Sequence, residues 1–109
     1  MSRNRIELIG IVLAVPELRT TPAGTSILRI EVSSGEGPDT LRLGIVMTGT
    51  KADELVSRMG AGATIGTGAT IKVTGELRPA RERRGPLARP EVEVLAQEIV
   101  ELSPGAGSV

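Results

Sequence analysis

Residues 69–99 read ATIKVTGELRPARERRGPLARPEVEVLAQEI. The middle part, Arg78–Arg89, holds five arginines and one glutamate. Its two prolines and one glycine disfavour both a helix and a central strand. On either side lies a run in which apolar and polar residues alternate, Ala69–Leu77 before it and Val92–Ile99 after it. This pattern predicts a long antiparallel hairpin whose tip is a mobile, arginine-rich arm at residues 78–89.

The residues before this hairpin predict three more strands and one helix. Ile6–Val15 is apolar on both faces, which is typical of a strand in the middle of a sheet or barrel, or of one whose outer face packs against another subunit. Thr25–Ser33 and Leu41–Met47 alternate and are joined by a short glycine-containing loop, so they predict a second hairpin. Lys51–Met59 has the apolar spacing of one helical stripe. Glu17–Gly24 predicts a loop that ends in a tight turn.

The alternation also predicts which side chains face the core. Because the chain contains no Phe, Tyr or Trp, this core has to be aliphatic. The outer face of the second and third predicted strands is expected to carry both Arg29 and Arg42. The expected inward-facing residues of strands two to five are Leu28, Ile30, Val32, Leu41, Leu43, Ile45, Met47, Ile71, Val73, Leu77, Val92, Val94 and Ala96.

Length and composition exclude several classes of protein. A chain of 109 residues suits a single domain. Cysteine and histidine are absent, which excludes disulfides and thiolate metal sites and removes the commonest general base. We therefore expect neither an enzyme nor a metal or cofactor site. No apolar run has the length of a membrane span or the form of a signal peptide, so we expect a cytoplasmic protein without membrane contact.

The charges are segregated although the formal net charge is zero. The arginines cluster in residues 78–89, whereas Glu91–Glu101 carries four glutamates and no basic residue. Guanidinium groups suit phosphate oxygens, and their planes can stack on nucleobases. A segregated charge of this kind can bind a polyanion on one face of a neutral protein. An isolated basic loop, by contrast, is more often simply solvated.

Four motifs occur in an order and spacing that resemble a known family. They are Asn4–Gly10 (Asn-x-x-x-Leu-x-Gly), Arg19–Thr25 (Arg-x-Thr-Pro-x-Gly-Thr), Gly68–Arg78 (Gly-x-x-Ile-x-Val-x-Gly-x-Leu-Arg) and Glu93–Ile99 (Glu-Val-x-Ala-x-x-Ile). The sequence is similar to the bacterial single-stranded DNA-binding proteins, including the branch of primosomal replication protein N. Together with the order of elements, this implies an all-β fold: a five-stranded OB-fold Greek-key barrel with one short α-helix between strands three and four. The barrel would span residues 1–102, followed by a flexible tail at 103–109.

The resemblance implies a protein that binds single-stranded DNA in replication or replication restart. OB-folds bind strands on the face of strands two and three and on the adjoining loops. Arg29 and Arg42 would lie on that face, the arm would clamp the backbone, and Lys72 and Arg19 would lie at the margin. The expected nucleic-acid-binding residues are Arg19, Arg29, Arg42, Lys72, Arg78, Arg81, Arg83, Arg84 and Arg89.

The resemblance further implies a homo-oligomer, with a dimer favoured over a tetramer, and contacts with other replication proteins. The apolar outer face of the first strand, Ile9, Ile11 and Leu13, is the expected interface between copies.

The sequence departs from the family where base-stacking aromatics are expected. By local alignment these positions are Thr20, Arg42, Thr48 and Glu82. Without stacking rings, phosphate contacts and arginine planes would have to hold the strand, and binding would be weaker and more sensitive to salt. The alternative is an OB-fold protein–protein interaction module that has lost nucleic-acid binding. In that case the arginine arm would contact an acidic protein surface, or the Glu91–Glu101 strand of a neighbouring subunit.

Overall fold

The computed structural model describes residues 3–60, 65–80 and 92–105, with only the backbone of residues 59 and 60. A short 3-10 turn, Gly37–Asp39, lies in one of the loops. The elements in these ranges are β1 (Ile6–Val12), β2 (Glu17–Thr20), β3 (Ser26–Ser34), β4 (Leu41–Thr48), α1 (Thr50–Gly60), β5 (Thr70–Pro79) and β6 (Val92–Ser103).

Five of the strands close into a barrel. The order across the sheet is β1-β5-β6-β4-β3-β2, and β1 also pairs with β3 at Ile11 and Val12. The pairing of β1 with β3 closes the barrel. β2 is not one of the five barrel strands; it pairs with the first part of β3, at Ser26–Arg29. β4 and β6 run parallel, and the other pairs are antiparallel. With α1 between β4 and β5, this is the OB-fold that the sequence predicted.

The barrel interior is filled with aliphatic side chains, and the alternation predicted most of them. Leu28, Ile30, Val32, Ile45, Met47, Ile71, Val73, Val94 and Ala96 are buried, and Leu43 packs against them. The stripe of α1 adds Ala52 and Leu55 to the same cluster. No helix in the described ranges has the length and apolar character needed to cross a membrane.

Three residues that we expected to face the core are exposed instead: Leu41, Leu77 and Val92. Each lies where its strand pairs with only one of its two neighbours. The missing neighbour is β6 for Leu41, β1 for Leu77 and β4 for Val92. The barrel wall is therefore open on one side of these residues, and their side chains reach solvent.

The segment between β1 and β3 differs from the prediction. β1 ends at Val12 rather than at Val15, and Glu17–Thr20 is a strand rather than part of a loop. The expected tight turn is present: the Gly24 N–H donates to the Thr21 carbonyl at 2.8 Å, and the Thr21 N–H donates to Thr25 at 2.9 Å. This turn brings the chain back on itself, so the residues before it pair with β3.

The hairpin of β5 and β6 is confirmed, with Pro79 paired to Val92 at its distal end. The pairing of Thr74 with Glu98 is followed by that of Gly75 with Ala96, so Gln97 has no partner across the pair. This bulge explains why both Ala96 and Ile99 face the core despite being three residues apart.

Two predictions fall wholly or partly outside the described residues. From the arm, residues 78–80 are described, and 81–91 are not. From the expected tail, Ser103 is the last residue of β6 and Gly105 is buried, whereas 106–109 lie outside the described ranges. The division into a barrel at 1–102 and a flexible tail stays a prediction.

Candidate nucleic-acid interface

The outer face of β3 and β4 carries a groove with a volume of about 300 Å³. It lies between the connection from β1 to β2 and the distal end of the β5–β6 hairpin, where the arm begins. Four lining residues are apolar, Ala14, Val15, Ile27 and Val46. The other six are charged: Glu17, Arg19, Arg29, Glu31, Arg78 and Glu93.

Strand register places the charged residues on one face. Along β3, alternation turns Arg29 and Glu31 outward while Leu28 and Ile30 fill the core. In β2, Glu17 pairs with Arg29 and therefore shares its face. The groove floor is Val46 of β4, which also pairs with Arg29 and is buried although it lies on the outer face.

Glu93 is the buried carboxylate of this groove, with only 3% of its surface exposed. Its Oε1 accepts a hydrogen bond from Nε of Arg78 at 2.7 Å, and its Oε2 lies 3.5 Å from Nη1 of Arg29. The register explains both contacts, because Glu93 pairs with Arg78 across β5 and with Gly44 across β4. A buried charge requires partners of this kind.

Arg29 has a second carboxylate partner. Its Nε donates to Oε1 of Glu31 at 3.4 Å, and two-thirds of the Arg29 side chain is buried, since 33% is exposed. The groove is thus lined by three arginines and three glutamates, whose formal charges cancel. Its described residues provide guanidinium groups without an excess of positive charge.

The structure brings together only some of the expected nucleic-acid-binding residues. Arg19, Arg29 and Arg78 line the groove. Arg42 lies on the same outer strip of β4, exposed and two positions before Gly44, and it forms no ion pair within the described residues. Lys72 lies on the other side of the barrel, where its Nζ forms an ion pair with Oε2 of Glu7 at 3.6 Å. The remaining arm arginines, Arg81, Arg83, Arg84 and Arg89, lie outside the described residues.

The residues expected at the interface between copies of the chain lie on the same side of the barrel as Lys72. Ile9 and Ile11 project outward from β1 with 54% and 51% of their surface exposed. Leu13 follows the end of β1 and is half-buried. In the sheet, Lys72 of β5 is paired with Ile9 of β1 on one side and with Val100 of β6 on the other, so exposed apolar residues of β1 and β6 flank a lysine.

Sequence reasoning missed Glu93 as a member of the groove. The alternation Val92, Val94, Ala96 correctly turns Glu93 outward, but it does not show what lies beside it. The missing information was the hairpin register, which pairs Glu93 with Arg78. Alternation alone gives no signal for this register.

The fold has a counterpart among solved structures. The SSB domain of a protein from Synechococcus sp. superimposes with a TM-score of 0.66, over 91% of this chain and 96% of that chain. This chain shares the fold of an SSB domain. The sequence identity is 21%, so the likeness is one of fold. No protein-family description matches the sequence, and no curated protein matches it either.

Within residues 3–60, 65–80 and 92–105, no three acidic, histidine or cysteine side chains are grouped so that they could hold a metal ion.

Proposed function

We propose that this protein binds single-stranded DNA in the cytoplasm, as a homo-oligomer acting in replication or replication restart. The observation that carries the proposal is the position of the groove. It lies on the outer face of β3 and β4 between two flanking connections, where OB-folds bind oligonucleotides. Arginines from three different strands line it: Arg19 from β2, Arg29 from β3 and Arg78 from β5. The shared fold with an SSB domain supports the same conclusion.

The arm supplies the positive charge that the groove lacks. In the groove every arginine is balanced by a glutamate, whereas the arm holds Arg81, Arg83, Arg84 and Arg89. These four arginines lie between Pro79 and Val92, which pair with each other beside Arg78 at the groove margin. About five residues of extended chain reach roughly 17 Å from either of these two residues. The arm arginines are therefore within reach of a strand lying in the groove.

The test is a salt titration of binding to an oligo(dT) strand. The arm variant has Arg81, Arg83, Arg84 and Arg89 changed to alanine. We expect the wild-type protein to bind at about 50 mM salt, with affinity falling steeply as salt is raised. The arm variant should bind more weakly, and the slope of log K against log salt should fall by about 3, since each lost phosphate contact to a single strand contributes about 0.7.

A charge-matched control separates the arm from total charge. Changing Lys51 and Arg58 on α1 to alanine removes two charges from residues that do not line the groove, and should leave the slope nearly unchanged. The matched arm variant, with only Arg83 and Arg84 changed to alanine, should lower the slope by about 1.4. Equal losses in the two variants would show that the arm has no specific role. A wild-type protein that does not bind at about 50 mM salt would refute the proposed function.

One observation favours a second candidate, a protein–protein interaction module. Glu93 holds both Arg78 and Arg29, so these two guanidinium groups already have a carboxylate where a phosphate would bind. If the wild-type protein fails to bind oligo(dT), this alternative is the better account of the groove. The groove and arm would then accept acidic side chains of a partner.

A further inference from the structure

The guanidinium group of Arg29 lies flat on the barrel wall above Gly44. A Cβ built on Gly44 would lie 3.0 Å from Nη2, 3.4 Å from Cζ and 3.9 Å from Nε of Arg29. Cζ is at a distance between those of Nη2 and Nε, and the distances to Nη2 and Nε differ by less than the width of the group. An edge-on guanidinium would place Nε farther away than Nη2 by the full width of the group, or Cζ as far away as Nε, so the group presents its face to Gly44. The absence of a side chain at Gly44 allows this close contact.

Two carboxylates hold the plane from its edges. Nε donates to Glu31 at 3.4 Å, and Nη1 lies 3.5 Å from Glu93. Glu93 is itself fixed by Arg78 at 2.7 Å. Because the charge of Arg29 is balanced within the protein, a phosphate gains less from this guanidinium than from an unpaired one. What Arg29 still offers is the face that points away from Gly44.

That face borders the groove. Arg29 lines it together with Val46 and Ile27, and a third of the Arg29 side chain is exposed. A flat, partly apolar ligand can therefore lie on the guanidinium while contacting aliphatic side chains at its margin. The bases of a single strand have this shape, and guanidinium planes stack on bases much as aromatic rings do.

We propose that Arg29 is the stacking platform for a nucleobase, a role for which this chain has no aromatic ring. The inference rests on the proposed binding of single-stranded DNA and names the part of the ligand that the groove recognises. The groove then contributes affinity that depends on the bases and little on salt, while the arm contributes the salt-dependent part.

The experiment compares two strands of equal length, oligo(dT) and a strand of abasic sugars, in binding to the full-length protein at fixed salt. We expect the wild-type protein to prefer oligo(dT) by about five- to tenfold, the lower end of the range for stacking one base. Arg29→Lys keeps the charge and removes the plane. It should abolish most of this preference and leave the salt slope unchanged. Arg58→Lys, the same substitution on α1, should leave the preference intact.

Gly44→Ala provides a second variant in which Arg29 remains. Its added methyl group would lie 3.0 Å from Nη2 and should tilt the guanidinium, so the preference for oligo(dT) should fall here too. Circular dichroism and the urea midpoint check that both variants are folded. Equal binding of the two strands by the wild-type protein, or a preference that survives both substitutions, overturns the platform and leaves DNA binding intact. No binding of either strand overturns the proposed function together with the platform.

Discussion

At the scale of single residues, Glu93 decides how much positive charge the groove can offer. Each of its oxygens is associated with one arginine, Arg78 on one side and Arg29 on the other. The carboxylate thereby occupies the position that two oxygens of a phosphate could take. We infer that Glu93 competes with the backbone of the strand for these two guanidinium groups.

Replacing this carboxylate should strengthen DNA binding while weakening the fold. Glu93→Gln keeps the shape and gives the groove one positive charge. We expect affinity for oligo(dT) at about 50 mM salt to rise about three- to tenfold, and the salt slope to steepen by about 0.7 for each arginine that then contacts a phosphate. The free energy of unfolding should fall by about 1–3 kcal/mol, because a charge-assisted hydrogen bond in a buried site is weakened. Fluorescence anisotropy and urea denaturation measure the two effects.

Glu54→Gln on α1 is the control, since it removes the same charge at an exposed position outside the groove. It should change neither quantity appreciably. Weaker binding with a shallower salt slope in Glu93→Gln would contradict the competition. Glu93 would then act by positioning the arginines.

At the scale of elements, alternation predicted the barrel strands well wherever they have two neighbours. Leu28, Ile30 and Val32 in β3 are the clearest case: β4 pairs along one edge of β3, while β2 and β1 pair with the two ends of its other edge. β2 could not be predicted in this way: its four residues are all exposed, so the strand has no buried face to leave a pattern. Its existence depends on the turn that follows it.

The candidate site was predictable to the same degree. Alternation correctly placed Arg29 and Arg42 on one outer face. Which carboxylates face Arg29 depends on the register of β6 against β4 and β5, with Glu93 beside Gly44. Register across strands that are distant in sequence leaves no trace in the alternation of either strand.

The bulge in β6 gives a prediction about stability. At Gly75 the two strands approach so closely that an added Cβ would lie 2.2 Å from the carbonyl oxygen of Leu95 and 2.9 Å from Cα of Ala96. Both neighbours are backbone atoms, so they cannot rotate away. Gly75→Ala should therefore lower the free energy of unfolding by about 1–3 kcal/mol, the typical cost of overpacking, or more if the hairpin must separate. The urea midpoint measures it.

Gly66→Ala is the matched control. No described atom lies within 4 Å of the position of its Cβ, and it should be neutral or slightly stabilising, because alanine restricts the unfolded chain. Equal midpoints for Gly75→Ala and the wild-type protein would show that the close approach of β5 and β6 is not required.

At the scale of the whole molecule, the barrel has two different outer sides. One side carries the groove and the base of the arm. The other exposes an interrupted strip of aliphatic side chains on both sides of Lys72, namely Ile9, Ile11, Val100 and Leu102, each with between 41% and 54% of its surface exposed. Exposed apolar side chains grouped in this way mark interaction sites. Because the strip and the groove lie on opposite sides, two copies that pair through the strip would leave both grooves open to one strand.

This arrangement leads to a prediction about assembly. Ile11→Glu places a charge in the middle of the strip, where a second copy would have to bury it without a partner, so the oligomer should dissociate to single chains. Half of the Ile11 surface is already exposed, so the barrel itself should tolerate the change.

Leu41→Glu is the control, because Leu41 is an exposed leucine at the start of β4 and its substitution should leave the mass unchanged. Light scattering after size-exclusion chromatography measures the mass. An Ile11→Glu protein that keeps the wild-type oligomeric mass would show that copies associate elsewhere, and a wild-type protein with the mass of one chain would refute the homo-oligomer.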